Sequence, residues 1–495
     1  MGRHNTFAPT RYSLTRLSSY PNALLRFFKS SLPAQLLALL VLVLALRLPL
    51  LWAGLPLTAA ELRGLLVGER LHGGALPYRD LYDGTAPLAA AAFALLDAVL
   101  SRPLWLYRVV ALLLLLTQAL RLNVVFNRYD VHPERGYVAA LTYLLVGSIS
   151  TDLDTLSPLL LGHTFVVFAL SALLPTSRED YDNRRLFRAG FLMGLAALCY
   201  LPLGLFAIVG LFAVLIFAAN SFRSSLLLLC GFFFPYALVA TYFFYTDALP
   251  GFVQFHLEPA LAGYGTVPGG VPGAVQLRLV VAVPGTVLAL ALMRALGTSL
   301  GLVFQTKFRQ LMLVWLAVAT AAAVAGGGVA PGTLVLLLPP TAYFGLFLWQ
   351  RTRPRWVPEF ILLLVLGATV VLRYRAWVPG LETALRLPAE SRAGLDADPT
   401  YAALQGQSLL ILGPDQRAYI ANKPTTPYLD WSLSRTDFDH LNEYVTVVRI
   451  GRQLEPAPPR YVLDQVKLLP RLQQQLPSVF GDYKATAMPN LYRRP

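Results

Sequence analysis

Leu57-Thr58-Ala59-Ala60-Glu61-Leu62-Arg63, followed by Gly73-Gly74-Ala75-Leu76-Pro77-Tyr78-Arg79-Asp80-Leu81-Tyr82-Asp83-Gly84-Thr85-Ala86-Pro87-Leu88, decides how this chain is read. The stretch stands directly after the first long apolar run, 34–56. Its parts come in an unusual order. An acid lies just past the run, then a helix-length segment, a Gly-x-x-Pro-Tyr-x-Asp turn, and a Pro-Leu re-entry into apolar sequence. This order is expected of a membrane enzyme that works at the outer surface with a carboxylate held near the lipid boundary.

The rest of the chain fits that reading. Of its 495 residues 56% are hydrophobic and only 14% are charged, and mean hydropathy is +0.55. The charges fall between long apolar runs, the pattern of a polytopic α-helical membrane protein. A formal net charge of +14 invites a nucleic-acid reading. The Lys and Arg residues cluster at span ends, however, as the positive-inside bias requires, so no nucleic-acid partner is expected. Cys199 and Cys230 both fall in apolar runs and read as buried thiols, without a disulfide framework. The basic N-terminus shows no cleavable signal peptide.

Residues 1–33 carry Arg3, Arg11, Arg16, Arg26 and Lys29 and no acid, and are expected in the cytoplasm. Within them, 12–29 reads either as an interfacial helix or as a disordered basic leader. The first span is expected at 34–56, and the first outer loop at 57–103. Residues 88–101 are apolar but short for a span. Reading them as a shallow helix at the outer face, with the second span at 104–124, puts every basic loop on one side. Arg121, Arg128, Arg135, Arg178, Arg184, Arg185, Arg188, Arg223, Arg294, Lys307, Arg309, Arg351, Arg353 and Arg355 then all face the N-terminal side. Further spans are expected near 137–150, 156–174, 187–201, 203–219, 224–243, 276–296, 310–325, 332–350 and 357–374. The domain 34–375 thus has about eleven spans, the N-terminus inside and the C-terminus outside. Residues 376–495 regain acids, Gln and Pro. They read as a small outer α/β domain with strands at 408–413 and 460–464, helices at 437–454 and 466–476, and a final hairpin.

Three outer segments hold candidate carboxylates: Glu61, the Asp80/Asp83 pair, and Asp152 with Asp154 in Ser150-Thr151-Asp152-Leu153-Asp154-Thr155. Glu61 is the expected general base, with Asp83 beside it in catalysis. Asp152 or Asp154 would hold a divalent metal ion or orient the acceptor. Arg63, Arg79 and Arg108 are expected cations for a phosphate, which Arg grips in bidentate fashion, and Arg70 and Arg102 lie at the same face. Tyr78, Asp80 and His256 complete the expected substrate-binding set. His163, within a span, reads as a packing residue. The run 263–273 is a Gly-rich loop without the Lys-Ser/Thr helix start of a phosphate cradle.

On these motifs the chain resembles the GT-C superfamily of lipid-linked sugar transferases, in its protein O-mannosyltransferase and aminoarabinose transferase branch. Glu61 matches the family's first acid, 74–80 its turn, 83–88 its re-entry, and Asp152 or Asp154 its second acid. Two departures stand out. The family's Asp-Glu pair is Ala60-Glu61 here, and its lysine before the re-entry proline is replaced by Gly84-Thr85-Ala86. The resemblance implies an all-α GT-C-like membrane domain with a C-terminal α/β domain. It implies transfer of a sugar from a polyprenyl-phosphate donor to a lipid, glycan or protein acceptor, with inversion, outside the bacterial inner membrane. The departures keep open a catalytically inactive scaffold of the same fold. A transporter or flippase ranks third, because the spans show few midplane polar residues and no inverted repeat.

Overall fold

A computed structural model of the chain describes residues 23–30, 32–54, 57–174, 183–218, 221–262, 274–326, 331–350, 356–375, 401, 404, 406–424 and 427–495. The leader 1–22, the loop 263–273, most of the turn 326–332, the basic positions 178, 351, 353 and 355, and the start of the C-terminal domain lie outside them.

Helices dominate up to residue 375. Among the described residues, five are long and apolar enough to cross a membrane: Pro33–Ala53, Leu104–Arg128, Ser221–Tyr245, Val303–Ala325 and Pro331–Leu348. Of the others expected as spans, Ala274–Leu296 has 23 residues and the rest are shorter. Val138–Gly147 has 10 residues and every one is buried. Surrounded by protein rather than lipid, it need not match the bilayer by its own length. Pro87–Val99 has 13 residues, short of the roughly 20 that a spanning helix needs, as a shallow outer helix would be.

Close helix packing uses small residues. Asn183–Cys199 lies against Ser221–Tyr245 with glycine at the crossing. A Cβ on Gly190 would overlap the Leu228 carbonyl oxygen, and one on Gly231 that of Phe187. Cys199 is buried, but Cys230, expected to be buried as well, is exposed on the outward side of its helix. At the N-terminal side the helix Ala23–Phe28 does not lie free on a surface. Leu25 and Phe28 are buried in the core, and the Tyr137 amide donates to the Phe28 carbonyl at 2.8 Å.

After residue 400 the chain forms a five-stranded sheet: β1 (Ser408–Leu412), β2 (Lys423–Pro424), β3 (Tyr461–Asp464), β4 (Lys484–Ala485) and β5 (Leu491–Arg493), in the order β2-β1-β3-β5-β4. β1 runs parallel to β2 and β3, with Leu409 opposite Tyr461; β5 runs antiparallel to β3 and β4. β2 was not expected, and the expected 437–454 helix is broken into Trp431–Asp439 and Tyr444–Leu454. Alternation along the strands gives the sheet two buried faces. Leu410, Leu412 and Val462 face Phe438, Ile450 and Leu454. Leu409, Ile411 and Leu463 face Leu62, Leu66 and Val67 of the helix Ala59–His72. The C-terminal domain is therefore packed onto the helix that carries Glu61.

Candidate active site

The helix Ala59–His72 starts at Thr58 with a capping box. The Glu61 amide donates to Thr58 Oγ1 at 3.2 Å, and the Thr58 amide donates to Glu61 Oε2 at 2.8 Å. The Thr58 hydroxyl also donates to Oε2, at 3.0 Å. Glu61 is 5% exposed, and its other oxygen lies 3.8 Å from Arg108 Nε on the neighbouring span. One Glu61 oxygen is thus committed to starting the helix and the other faces a guanidinium.

Arg63 points to a second carboxylate. Its Nε is 3.8 Å from Asp83 Oδ2, and its Nη1 is 2.9 Å from Oδ2 of Asp430 in the C-terminal domain. Asp83 is 3% exposed. Its Oδ1 accepts the Thr85 amide at 2.8 Å, while Oδ2 is buried without a hydrogen-bond donor. Burial raises the Asp83 carboxyl above its ordinary range, with Arg63 pulling it back.

Around Asp83 the turn is held by aromatic packing. Tyr78 takes a positive φ of 66° and its hydroxyl donates to the Thr85 carbonyl. The Tyr78 ring meets Phe243 and Phe252 edge-on at 5.2 and 5.5 Å, and His256 stacks on Phe252 at 5.4 Å. His256 Nδ1 is 3.5 Å from the Gly84 carbonyl, and Nε2 is buried without a partner. Desolvation pushes His256 down to about 4, so the ring is neutral at pH 7. Asp83 Oδ2 and His256 Nε2 are thus two buried atoms without a hydrogen-bond partner.

The other expected residues are placed differently. Asp80 closes the turn by accepting the Leu76 amide at 2.9 Å, and Arg79 pairs with it at 2.8 Å and donates to the Thr246 carbonyl. These two shape the loop rather than face Asp83. Asp152 is exposed, with its amide bound by Ser150 Oγ at 3.1 Å. Asp154, expected as a catalytic or metal-binding acid, lies in a buried cluster with two arginines. Arg47 Nη1 lies 2.8 Å from Oδ1, and Arg373 Nη2 donates to Oδ2 at 2.5 Å, all three side chains being buried. Both arginines also donate to carbonyls, Arg47 to Leu153 and Gly147 and Arg373 to Leu46 and Ser148, while Arg47 Nε is buried without a hydrogen-bond partner. Both Asp154 oxygens thus face arginines, Oδ2 through a hydrogen bond and Oδ1 through an ion pair alone. Among the described residues no group of three or more His, Cys, Asp or Glu could hold a metal ion.

Reading the sequence missed Arg47, Arg373, Asp430 and the role of Arg102. Arg47 carried a signal, since a charge inside a run of spanning length needs a partner. Arg102 donates to Glu69 at 2.7 Å and to the carbonyls of Tyr419, Ile420 and Asn422, fastening the C-terminal domain to the outer loop.

The helical domain up to residue 375 and the sheet domain seated on the loop after its first apolar helix form an arrangement shared with a solved structure. ArnT from Cupriavidus metallidurans, solved bound to undecaprenyl phosphate, matches with a TM-score of 0.58 at 13% identity, over 96% of this chain and 98% of ArnT. The oligosaccharyltransferase AglB from Archaeoglobus fulgidus, solved with an inhibitory peptide and a dolichol-phosphate, matches at 0.46 and 12% identity over 93% of this chain and 74% of AglB. Only the ArnT likeness is strong enough to define the fold. No protein-family model matches the chain, and no curated protein matches its sequence.

Proposed function

We propose that this protein is a membrane glycosyltransferase of the bacterial inner membrane. It takes a sugar from a polyprenyl-phosphate donor and passes it, on the outer face, to a lipid, glycan or protein acceptor. One observation carries the reading: Asp83, on the outer loop of a fold shared end to end with ArnT, keeps a buried oxygen without a donor beside Arg63.

In this reading Asp83 is the base, a role expected first of Glu61. Its free oxygen takes the proton of an acceptor hydroxyl. The acceptor oxygen then attacks the anomeric carbon, the bond from that carbon to the phosphate oxygen breaks, and polyprenyl phosphate leaves with the bonding electrons. Attack opposite the leaving phosphate inverts the configuration. Arg108, steadied by Glu61, is the cation proposed for the phosphate. The neutral His256 accepts a hydrogen bond from a sugar hydroxyl through Nε2. Buried carboxylates and guanidiniums serve such chemistry because low dielectric strengthens their action.

The test is transfer from a radiolabelled polyprenyl-phosphate sugar in isolated membranes. Asp83→Asn keeps the size of the side chain but cannot take the proton, and is expected to lower turnover on the order of 10²–10⁴. Equal turnover in variant and wild type removes Asp83 from the mechanism. The scaffold reading is favoured by Gly84-Thr85-Ala86, where a family member carries a lysine, and by Asp154 being locked between arginines. An inert wild type across a panel of donors would select it.

A further inference from the structure

We infer that Asp430 of the C-terminal domain is a positioning residue for the candidate site, acting through Arg63 on Asp83. The inference rests on the reading of Asp83 as the base for its activity arm alone.

Three observations carry it. Arg63 sits between two buried carboxylates, 3.8 Å from Asp83 and 2.9 Å from Asp430. Asp430 is itself held in place: it caps the helix Trp431–Asp439, its Oδ1 accepting the Ser432 amide at 2.9 Å and hydroxyl at 2.6 Å. That leaves Oδ2 aimed at Arg63. The residue just before Asp83 is also tied to the same domain. The Tyr82 amide donates to the Pro427 carbonyl, the Asp430 amide donates to the Tyr82 carbonyl at 3.3 Å, and the Tyr82 hydroxyl meets Gln453.

The physical argument concerns a long side chain. Arg63 is 41% exposed, and a half-exposed arginine ordinarily samples many rotamers. Asp430 fixes one end of the guanidinium, so the Nε edge stays toward Asp83. Arg63 is too far from Asp83 for a hydrogen bond, so it orients and balances the carboxylate without occupying the oxygen that takes the proton. Domain and loop then act as one unit. Without the domain the loop has Asp83 but not the clamp that sets its neighbour.

Asp430→Asn separates the two jobs of this residue. Asparagine still caps the helix but no longer attracts the guanidinium. The full-length protein in lipid nanodiscs is compared with Asp430→Asn and with Asp439→Asn, which removes an exposed acid from the same helix. Hydrogen–deuterium exchange is read at 82–88. We expect about fivefold faster exchange there in Asp430→Asn at an unchanged melting temperature, with Asp439→Asn like wild type. In the transfer assay Asp430→Asn should lower kcat about tenfold with little change in donor KM. The same substitution made in an Arg63→Gln background should cost nothing further. Unchanged exchange at 82–88 overturns the inference, as does equal kcat or an additive double variant. Faster exchange with an inert wild type would keep the clamp and sink the transferase reading.

Discussion

Asp83 and His256 show what burial does to single groups at this site. As a base, Asp83 must be ionised. Burial holds its carboxyl above the ordinary range and Arg63 lowers it. Transfer is therefore expected to fall as pH drops through that raised value, at a higher pH than an ordinary carboxylate would give. Arg63→Gln removes the pull and should move the acid limb of the pH–rate profile upward; a limb that stays put or moves down contradicts the pairing. For His256 the sign is opposite. Its value falls from 6.5 to about 4 in the folded protein, so the folded state binds fewer protons between those limits. Stability is complete above about 6.5 and declines toward 4, by about 2 kcal/mol at pH 5. Melting curves at pH 7 and pH 5 should show this loss, and His256→Phe should flatten it. Part of the site was legible in the sequence. Asp83, Arg63, Tyr78 and His256 were all expected as site residues; Arg63 lies beside Asp83, and Tyr78 and His256 pack at the turn 78–85. Thr58-x-x-Glu61 ahead of an apolar run is also a capping-box pattern, so the local duty of Glu61 stood in plain sight. Asp430 was not legible, because nothing local links it to Arg63; only the docking of the sheet on the loop helix does so.

At the scale of elements, helix boundaries followed the apolar runs, while helix lengths did not. Val138–Gly147 could be short because neighbours enclose it, and enclosure is a tertiary property that hydropathy does not carry. The strands at 408–413 and 460–464 were legible from their apolar runs. β2 is two residues long, one of them proline, and offers no periodicity to read. The pairing of Asn183–Cys199 with Ser221–Tyr245 gives a direct test. Gly190→Ala forces a methyl group into the Leu228 carbonyl, and should cost about 1–3 kcal/mol. Gly367→Ala, with nothing near the added methyl group, serves as the control. Thermal stability in detergent should drop for the first and hold for the second; equal curves would mean the crossing is looser than described.

For the whole molecule, the buried Arg47–Asp154–Arg373 cluster joins the first span, the segment 151–154 and the last helix before the C-terminal domain. Asp154→Asn leaves two guanidiniums buried without a counter-ion, and should destabilise by about 3–5 kcal/mol, seen as lost folded protein in membranes. Near-normal yield would show that the arginines reach water. Orientation is tested separately. A reporter fused after Arg375 should be active only outside the cytoplasm and one at Arg184 only inside, following the one-sided basic loops; both on one side would overturn the arrangement of spans.

The same cluster bears on how the chain is made. Arg47 and Asp154 are synthesised early, so they can pair while most of the polypeptide is still on the ribosome. Arg373 arrives last, and only then are the carbonyls of Leu46 and Ser148 supplied with their donor. A nascent chain stopped short of Val357–Arg373 lacks the side chain that bridges Pro33–Ala53 and the end of Val138–Gly147. The fold of the first 154 residues is thus completed only by a side chain more than 200 positions further on, Arg373 to Asp154 being 219 apart.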